Sequence, residues 1–228
     1  MDSGEVIVMW DWNYVWDILP QLLSALKMTV WVTICAFAVA LIIGLLLAFA
    51  ARSRFKVLSL ITKGMIEFIR NTPLLVQVFF LYYSLPLLTG ISIPAFYAGV
   101  IGLGLHYSTY LSEVYRSGIE GVPKGQWEAA TALNYTKAQT WRSIILPQAV
   151  PPIIPVLGNY LIVMFKETPI LCAITLVEMM LTAKNIVSQS FRAFEPYTMV
   201  GILFLIISYI ASLLVQRLEK RMNLQRGK

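Results

Sequence analysis

Polar or ionisable residues interrupt otherwise apolar stretches of this chain, chief among them Gln77, His106, Tyr107, Ser108, Tyr110, Glu113, Lys166, Glu167 and Thr168. If those stretches cross a membrane, such residues are functional candidates by default, because a polar group at that depth must face protein or a wet cavity. The chemistry they offer is recognition rather than bond-making. Amide, imidazole, phenol and carboxylate can hold a small zwitterion between aromatic walls, whereas no nucleophile–base pair and no metal-ligand spacing stands out. Gln77, His106, Tyr110, Glu167 and Thr168 are the candidates for a solute path. Plainer readings stand beside this one. Lys166 and Glu167 can neutralise each other or meet a neighbouring chain. His106 can be a hydrogen-bonded packing residue, and Glu113 can pair with Arg116 near the end of its helix.

The elements that must position these residues follow from composition. Of 228 residues, 58% are hydrophobic and 13% charged, where a soluble domain carries about 25% charge. About 20 apolar residues cross a bilayer as one helix, so the chain is expected to be an all-α, multi-pass membrane protein with little room for a soluble domain. The formal charge of +6 is explained by basic residues flanking spans, not by nucleic acid. Cys35 and Cys172 lie in apolar runs and read as small core residues. The N-terminus has no basic region ahead of its first apolar segment and does not read as a cleaved signal peptide.

Residues 1–17 are acidic and hold Trp10, Trp12, Tyr14 and Trp16, which suits an extracytoplasmic segment at the membrane interface. Residues 18–216 form the membrane region. Its first span is expected over 26–51. The next stretch is too long for one span and splits at Asn71–Pro73 into a cytoplasm-side helix and a second span over 73–88. The third span, 94–115, is the most polar. A fourth region, 150–180, is interrupted at "FKETPIL". An outer loop, "TAKNIVSQSFRAFEP", leads to a fifth span over 197–215 and a basic cytoplasmic tail over 217–228. Arg52, Arg54, Lys56, Lys63, Arg70, Arg116, Lys124, Lys137, Arg142 and the basic residues of the tail then share one side, against Lys184 and Arg192 on the other. The positive-inside rule makes that the cytoplasm, with the N-terminus outside and the C-terminus inside. There is no internal repeat of the kind secondary transporters use.

One cytoplasmic segment, 121–147, is too polar to span and too regular for a loop. Pro123 and Gly125 punctuate its start. Glu128 falls in the first turn of a helix, where negative charge suits the dipole, and Ala129, Ala130 and Ala132 follow as strong helix formers with small side chains. Trp127, Thr131, Ala138 and Trp141 can share one broad face. The plain reading is an amphipathic helix on lipid headgroups. Pro147, Pro151, Pro152 and Pro155 are expected to prevent an unbroken helix from this segment into the fourth span.

Glu128-Ala129-Ala130, followed at fixed distance by Ile144-x-Leu146-Pro147, resembles the Glu-Ala-Ala signature of ABC importer permeases. Asn134 stands where that pattern has Gly, and Asn is the residue that best tolerates the left-handed conformation a Gly implies. "RNTPLLVQVFFLYYSLP", "YLSEVYRSGIEGVPKGQWEAATAL" and "LPQAVPPIIPVLGNYLIVMFKETPIL" extend the resemblance over most of the chain, to the polar-amino-acid (histidine/glutamine-type) branch, and the chain is similar to ectoine/hydroxyectoine permease subunits. The resemblance implies a type I importer transmembrane fold with five core helices in a bacterial plasma (inner) membrane. It implies a second permease subunit, identical or related, an extracytoplasmic solute-binding protein, and a cytoplasmic ATPase dimer that docks on the signature helix. Gly125, Glu128, Ala129, Ala130, Asn134, Ile144, Leu146 and Pro147 are then the ATPase-coupling set. The sequence has no phosphate-binding loop of its own, so the chain is expected to be no enzyme and to bind no cofactor, with ATP and Mg on the partner. A self-contained proton-coupled transporter using His106, Glu113 and Glu167 is the alternative; a membrane enzyme and a scaffold are weaker.

Overall fold

A computed structural model describes residues 10–224. Within them the chain is helical. Asp11 starts α1 (Trp12–Ala51), its carboxylate accepting the Asn13 and Tyr14 amides at 2.9 and 3.3 Å. Those amides, Tyr14's foremost, hold Asp11 below the usual carboxylate range, helped by Arg192. The expected interfacial segment is therefore helical from Trp12, and residues 1–9 lie outside the described part. At about 1.5 Å per residue α1 is about 60 Å long, twice the thickness of a hydrocarbon core.

The span expected over 94–115 is α5 (Ala95–Glu120), and α1 packs along it through small residues. Ala36, Ala40, Gly44 and Ala48 recur every fourth residue on α1 and are buried, as are Gly104, Ser108 and Ser112 on α5. A Cβ on Gly104 would lie 2.6 Å from Val39, and one on Gly44 2.9 Å from the Ser108 carbonyl oxygen. Small residues at this spacing let two helices in lipid approach until backbones touch. Ser108, a polar candidate by sequence, donates to the Leu105 carbonyl at 2.7 Å and belongs to this seam.

α2 (Lys56–Arg70) and the second span are separate, as the split at Asn71–Pro73 predicts. That span comprises α3 (Leu74–Phe79), a π-helical turn (Phe80–Ser84) and α4 (Leu85–Thr89), and it is bent by 101° from α2. After the coupling segment come α6 (Lys124–Ala132), α7 (Lys137–Thr140), a second π-helical turn (Trp141–Ile145) and α8 (Leu146–Glu167). Both π turns close with a bond from residue i to i−5, Leu85 to Phe80 and Leu146 to Trp141. Each has a proline two residues past its end, Pro86 and Pro147. Proline lacks an N–H and its ring clashes with the carbonyl four residues back; widening the turn moves that carbonyl away.

The proline expectation is thereby corrected. Helix runs without interruption from Lys137 into the fourth span, with Pro151, Pro152 and Pro155 inside α8. These prolines supply no N–H to the carbonyls one turn below, those of Pro147, Gln148 and Pro151. All three of those residues line a cleft of about 630 Å³ between α5, α8 and the end of α10, where solvent can serve them.

Region four breaks where expected: α8 ends at Glu167 and a 3-10 stretch (Thr168–Ile174) follows. The expected outer loop is instead largely helix, α9 (Met179–Ser190), capped by the buried Glu178, whose carboxylate accepts the Met180 and Leu181 amides. The fifth span, α10 (Phe194–Leu224), is longer than expected and takes in most of the basic tail; residues 225–228 lie outside the described part. Arg192 ties its start to α1 by pairing with Asp11 at 3.3 Å and with Glu195. Among the described residues three stretches are long and apolar enough to cross a membrane alone, and the bent pair makes a fourth. α5, 26 residues long, is the more polar fifth.

Candidate functional site

The cytoplasmic end of the bundle carries the first cluster. α6 leaves α5 through Pro123 and rests on a small core of Ile119, Val122, Ile145 and Ala149, roofed by Trp127, Trp141 and Ile144. Trp127 and Trp141 meet edge to face at 5.6 Å, and Trp141 also meets Phe49 of α1 at 6.3 Å. Thr131 and Ala138, expected on the same face, are exposed instead. Their helices are separated by a turn that redirects the chain, so one periodicity does not run through both.

That turn closes as a complete helix C-cap. The Tyr135 amide donates to the Ala130 carbonyl and the Asn134 amide to the Thr131 carbonyl, each at 3.0 Å, with Asn134 at φ 56°. This is the double bond pattern in which the residue after the cap adopts the left-handed conformation, usually as Gly. Thr136 and Gln139 then form a reciprocal capping box that starts α7.

The coupling candidates divide by what they face. Gly125, Glu128 and Ala129 are exposed, and so are Leu133 and Tyr135 beside them. Ala130 is 1% exposed and packs into its own chain. Ile144 joins the small core, while Leu146 and Pro147 are exposed. The Gln148 amide reaches the Gln126 side chain at 3.2 Å and the Ile144 carbonyl at 2.8 Å, tying α6 to α8.

A second cluster lies deeper. Tyr107, Tyr110 and Tyr160 form a ring-on-ring group with centroids 5.8 to 6.2 Å apart, and His106 joins it at 5.4 Å from Tyr107 and 5.3 Å from Tyr110. The Arg70 guanidinium sits 4.9 Å over the Tyr110 ring. Arg52 pairs with Glu120 at 3.3 Å and marks the cytoplasmic end of α5. Tyr110 is ten residues before Glu120, about 15 Å along the axis, half the depth of a hydrocarbon core. The end of α2 therefore reaches a level about 15 Å from that end of α5. The 101° bend between α2 and α3 thus falls beside Tyr110, against α5.

The path candidates are sorted by the same geometry. Tyr110 is half-buried on the wall. Glu167 is exposed seven residues beyond Tyr160, on the same face of α8. Gln77 is held at the bend by Ile69 and Thr72 and touches His106. Thr168 is fully buried and donates to the Phe165 carbonyl at 2.8 Å, which turns it away from any path. Glu113 pairs with Arg116 as the plain reading has it, at 2.5 Å. Neither Lys166 nor Glu167 makes an ion pair among the described residues; Lys166 lines a separate groove with Asn159, Ser208 and Ser212. Arg70 and Tyr160 were absent from the sequence-based path set. Nothing but α5 crossing α2 and α8 at this level brings them to Tyr110.

Comparison with known proteins places these features. Residues 40–224 match the family described as binding-protein-dependent transport system inner membrane component. A probable amino-acid ABC transporter permease protein of Sinorhizobium fredii, y4tG, is 46% identical over 88% of this chain and 86% of its own length. The glutamine transport system permease protein GlnP of Escherichia coli is 34% identical over 95% of this chain and 100% of its own. A crystal structure of an amino acid ABC transporter with histidines superposes with a TM-score of 0.88 at 37% identity, covering 93% of this chain and 99% of that one. An inward-facing structure of the MetNI methionine ABC transporter shares the fold, with a TM-score of 0.70 at 18% identity.

Proposed function

The chain belongs to the binding-protein-dependent transport system inner membrane component family, and from that premise we propose how its two clusters divide the work of import. It is a multi-pass plasma-membrane permease subunit of an ABC importer, not an enzyme and not a self-contained proton-coupled transporter. The solute is an amino acid, the class named for its relatives, in preference to ectoine. A solute-binding protein delivers it from outside, a second permease subunit completes the path, and an ATPase dimer holding ATP and Mg supplies the energy.

The observation that carries this reading is the outward face of α6. Glu128 and Ala129 are exposed on a short helix, and Leu133 and Tyr135 are exposed at the cap that closes its C-terminal end, while Trp127 and Ala130 anchor it to the bundle. Exposed Leu and Tyr beside small residues make a docking knob rather than a solvated loop. The ATPase receives that knob, and its movement passes through Trp127 and Trp141 into α8. Higher in the bundle, Tyr107, Tyr110 and Tyr160 form an aromatic wall with Arg70 and Glu167 near it. Opposite charges beside a polar aromatic surface suit a zwitterion. In a transporter reconstituted with its ATPase and binding protein, Arg70→Ala and Glu167→Gln each lower amino-acid uptake at least about tenfold, the cost of one lost charged contact. Unchanged uptake in both variants removes the wall from the path.

A further inference from the structure

The side chain of Gln77 fixes more than the bend. Its amide nitrogen reaches the Ile69 carbonyl at 2.7 Å, the Thr72 carbonyl at 3.1 Å and the Thr72 hydroxyl at 2.6 Å. Backbone carbonyls only accept, so the NH2 must face them and the amide cannot be turned over. The Gln77 Oε1 is then the atom 3.2 Å from His106 Nδ1. An amide oxygen also only accepts, so Nδ1 carries the hydrogen. A neutral imidazole has one such hydrogen, and Nε2 is left as an acceptor. The ring packs against Tyr107 and Tyr110, with Arg70 over the latter.

We propose that Gln77 is a positioning residue: it locks His106 as the Nδ1–H tautomer, so that the tyrosine wall offers an imidazole acceptor to N–H donors on a passing solute. The inference rests on the reading that this wall lines the solute path, but its test does not depend on transport. A free imidazole favours hydrogen on Nε2, so the locked tautomer is a distinct spectroscopic state.

The chain has a single histidine, so ring-15N NMR reads it without assignment. The experiment uses the full chain with 15N-labelled histidine, purified on a histidine-free tag into nanodiscs. It is recorded at pH 8.5, well above the ordinary imidazole value of about 6.5. Wild type is expected to show Nδ1–H as the majority form, an ordinary hydrogen bond shifting the ratio about two- to tenfold against the free ring's preference. Gln77→Leu removes the acceptor and shifts the majority to Nε2–H. A wild-type spectrum dominated by Nε2–H, or a folded Gln77→Leu variant with an unchanged spectrum, overturns the proposal. If Gln77→Leu does not fold, the wild-type spectrum decides it alone. A locked tautomer with normal uptake in His106→Ala counts against the path reading and not against the lock.

Discussion

Asn134 departs from the Gly of the family pattern, and its backbone shows why the change is tolerated. At φ 56° it occupies the left-handed position that both cap bonds require. Asn reaches that conformation at little cost, while a β-branched residue is strained by about 1–2 kcal/mol. Asn134→Val is therefore expected to lower the thermal midpoint in detergent, and Asn134→Gly to leave it equal or raise it; equal midpoints for the two variants would contradict the cap assignment. The seam between α1 and α5 is argued at the same scale. Gly104→Leu drives a side chain into Val39, which lies 2.6 Å from where even a Cβ would sit, and overpacking of this kind costs about 1–3 kcal/mol. The expected outcome is a lower midpoint and a lower yield of inserted protein, checked against Gly125→Leu, where a Cβ meets nothing within 4 Å.

The π turns are features of elements, and both are explained by the proline that follows. Pro147→Ala restores an N–H and removes the ring clash, so Trp141–Ile145 can relax to ordinary α geometry. Amide hydrogen exchange across 141–146 is expected to slow in that variant; faster or unchanged exchange means the turn has another cause. Element boundaries also mark how far the sequence could be read. Asn71–Pro73, the break after Glu167 and the turn at Asn134 were legible because local chemistry decides each one. The early start of α1 was hidden by its Trp-rich opening, which fits an interface as well as a helix; the Asp11 cap was the missed signal. α9 was hidden by its polar composition, since only the buried Glu178 caps it. The prolines of α8 misled because a wide turn and an adjacent cleft accommodate what a regular helix cannot. Residues meeting at the tyrosine wall come from α2, α5 and α8, and no local pattern records that meeting.

At the scale of the whole molecule, the protein is a bundle with two working ends of different character. In the proposed reading the tyrosine wall recognises the solute and the exposed face of α6 receives force from the ATPase. The tie between them is continuous helix from Lys137 to Glu167, gripped at its base by Trp127 and Phe49. The central claim is that the exposed face of α6 is where the ATPase acts. Ala129 tests it most directly, because it is exposed while Ala130 is buried, so a large charged side chain there leaves the fold intact. The measurement is ATP hydrolysis stimulated by loaded binding protein, in liposomes holding the complete transporter with Ala129→Arg in this chain. The account predicts normal insertion with stimulation and uptake reduced at least about tenfold, since interface contacts of this kind are worth about 1–2 kcal/mol or more. Stimulation and uptake equal to wild type would contradict it.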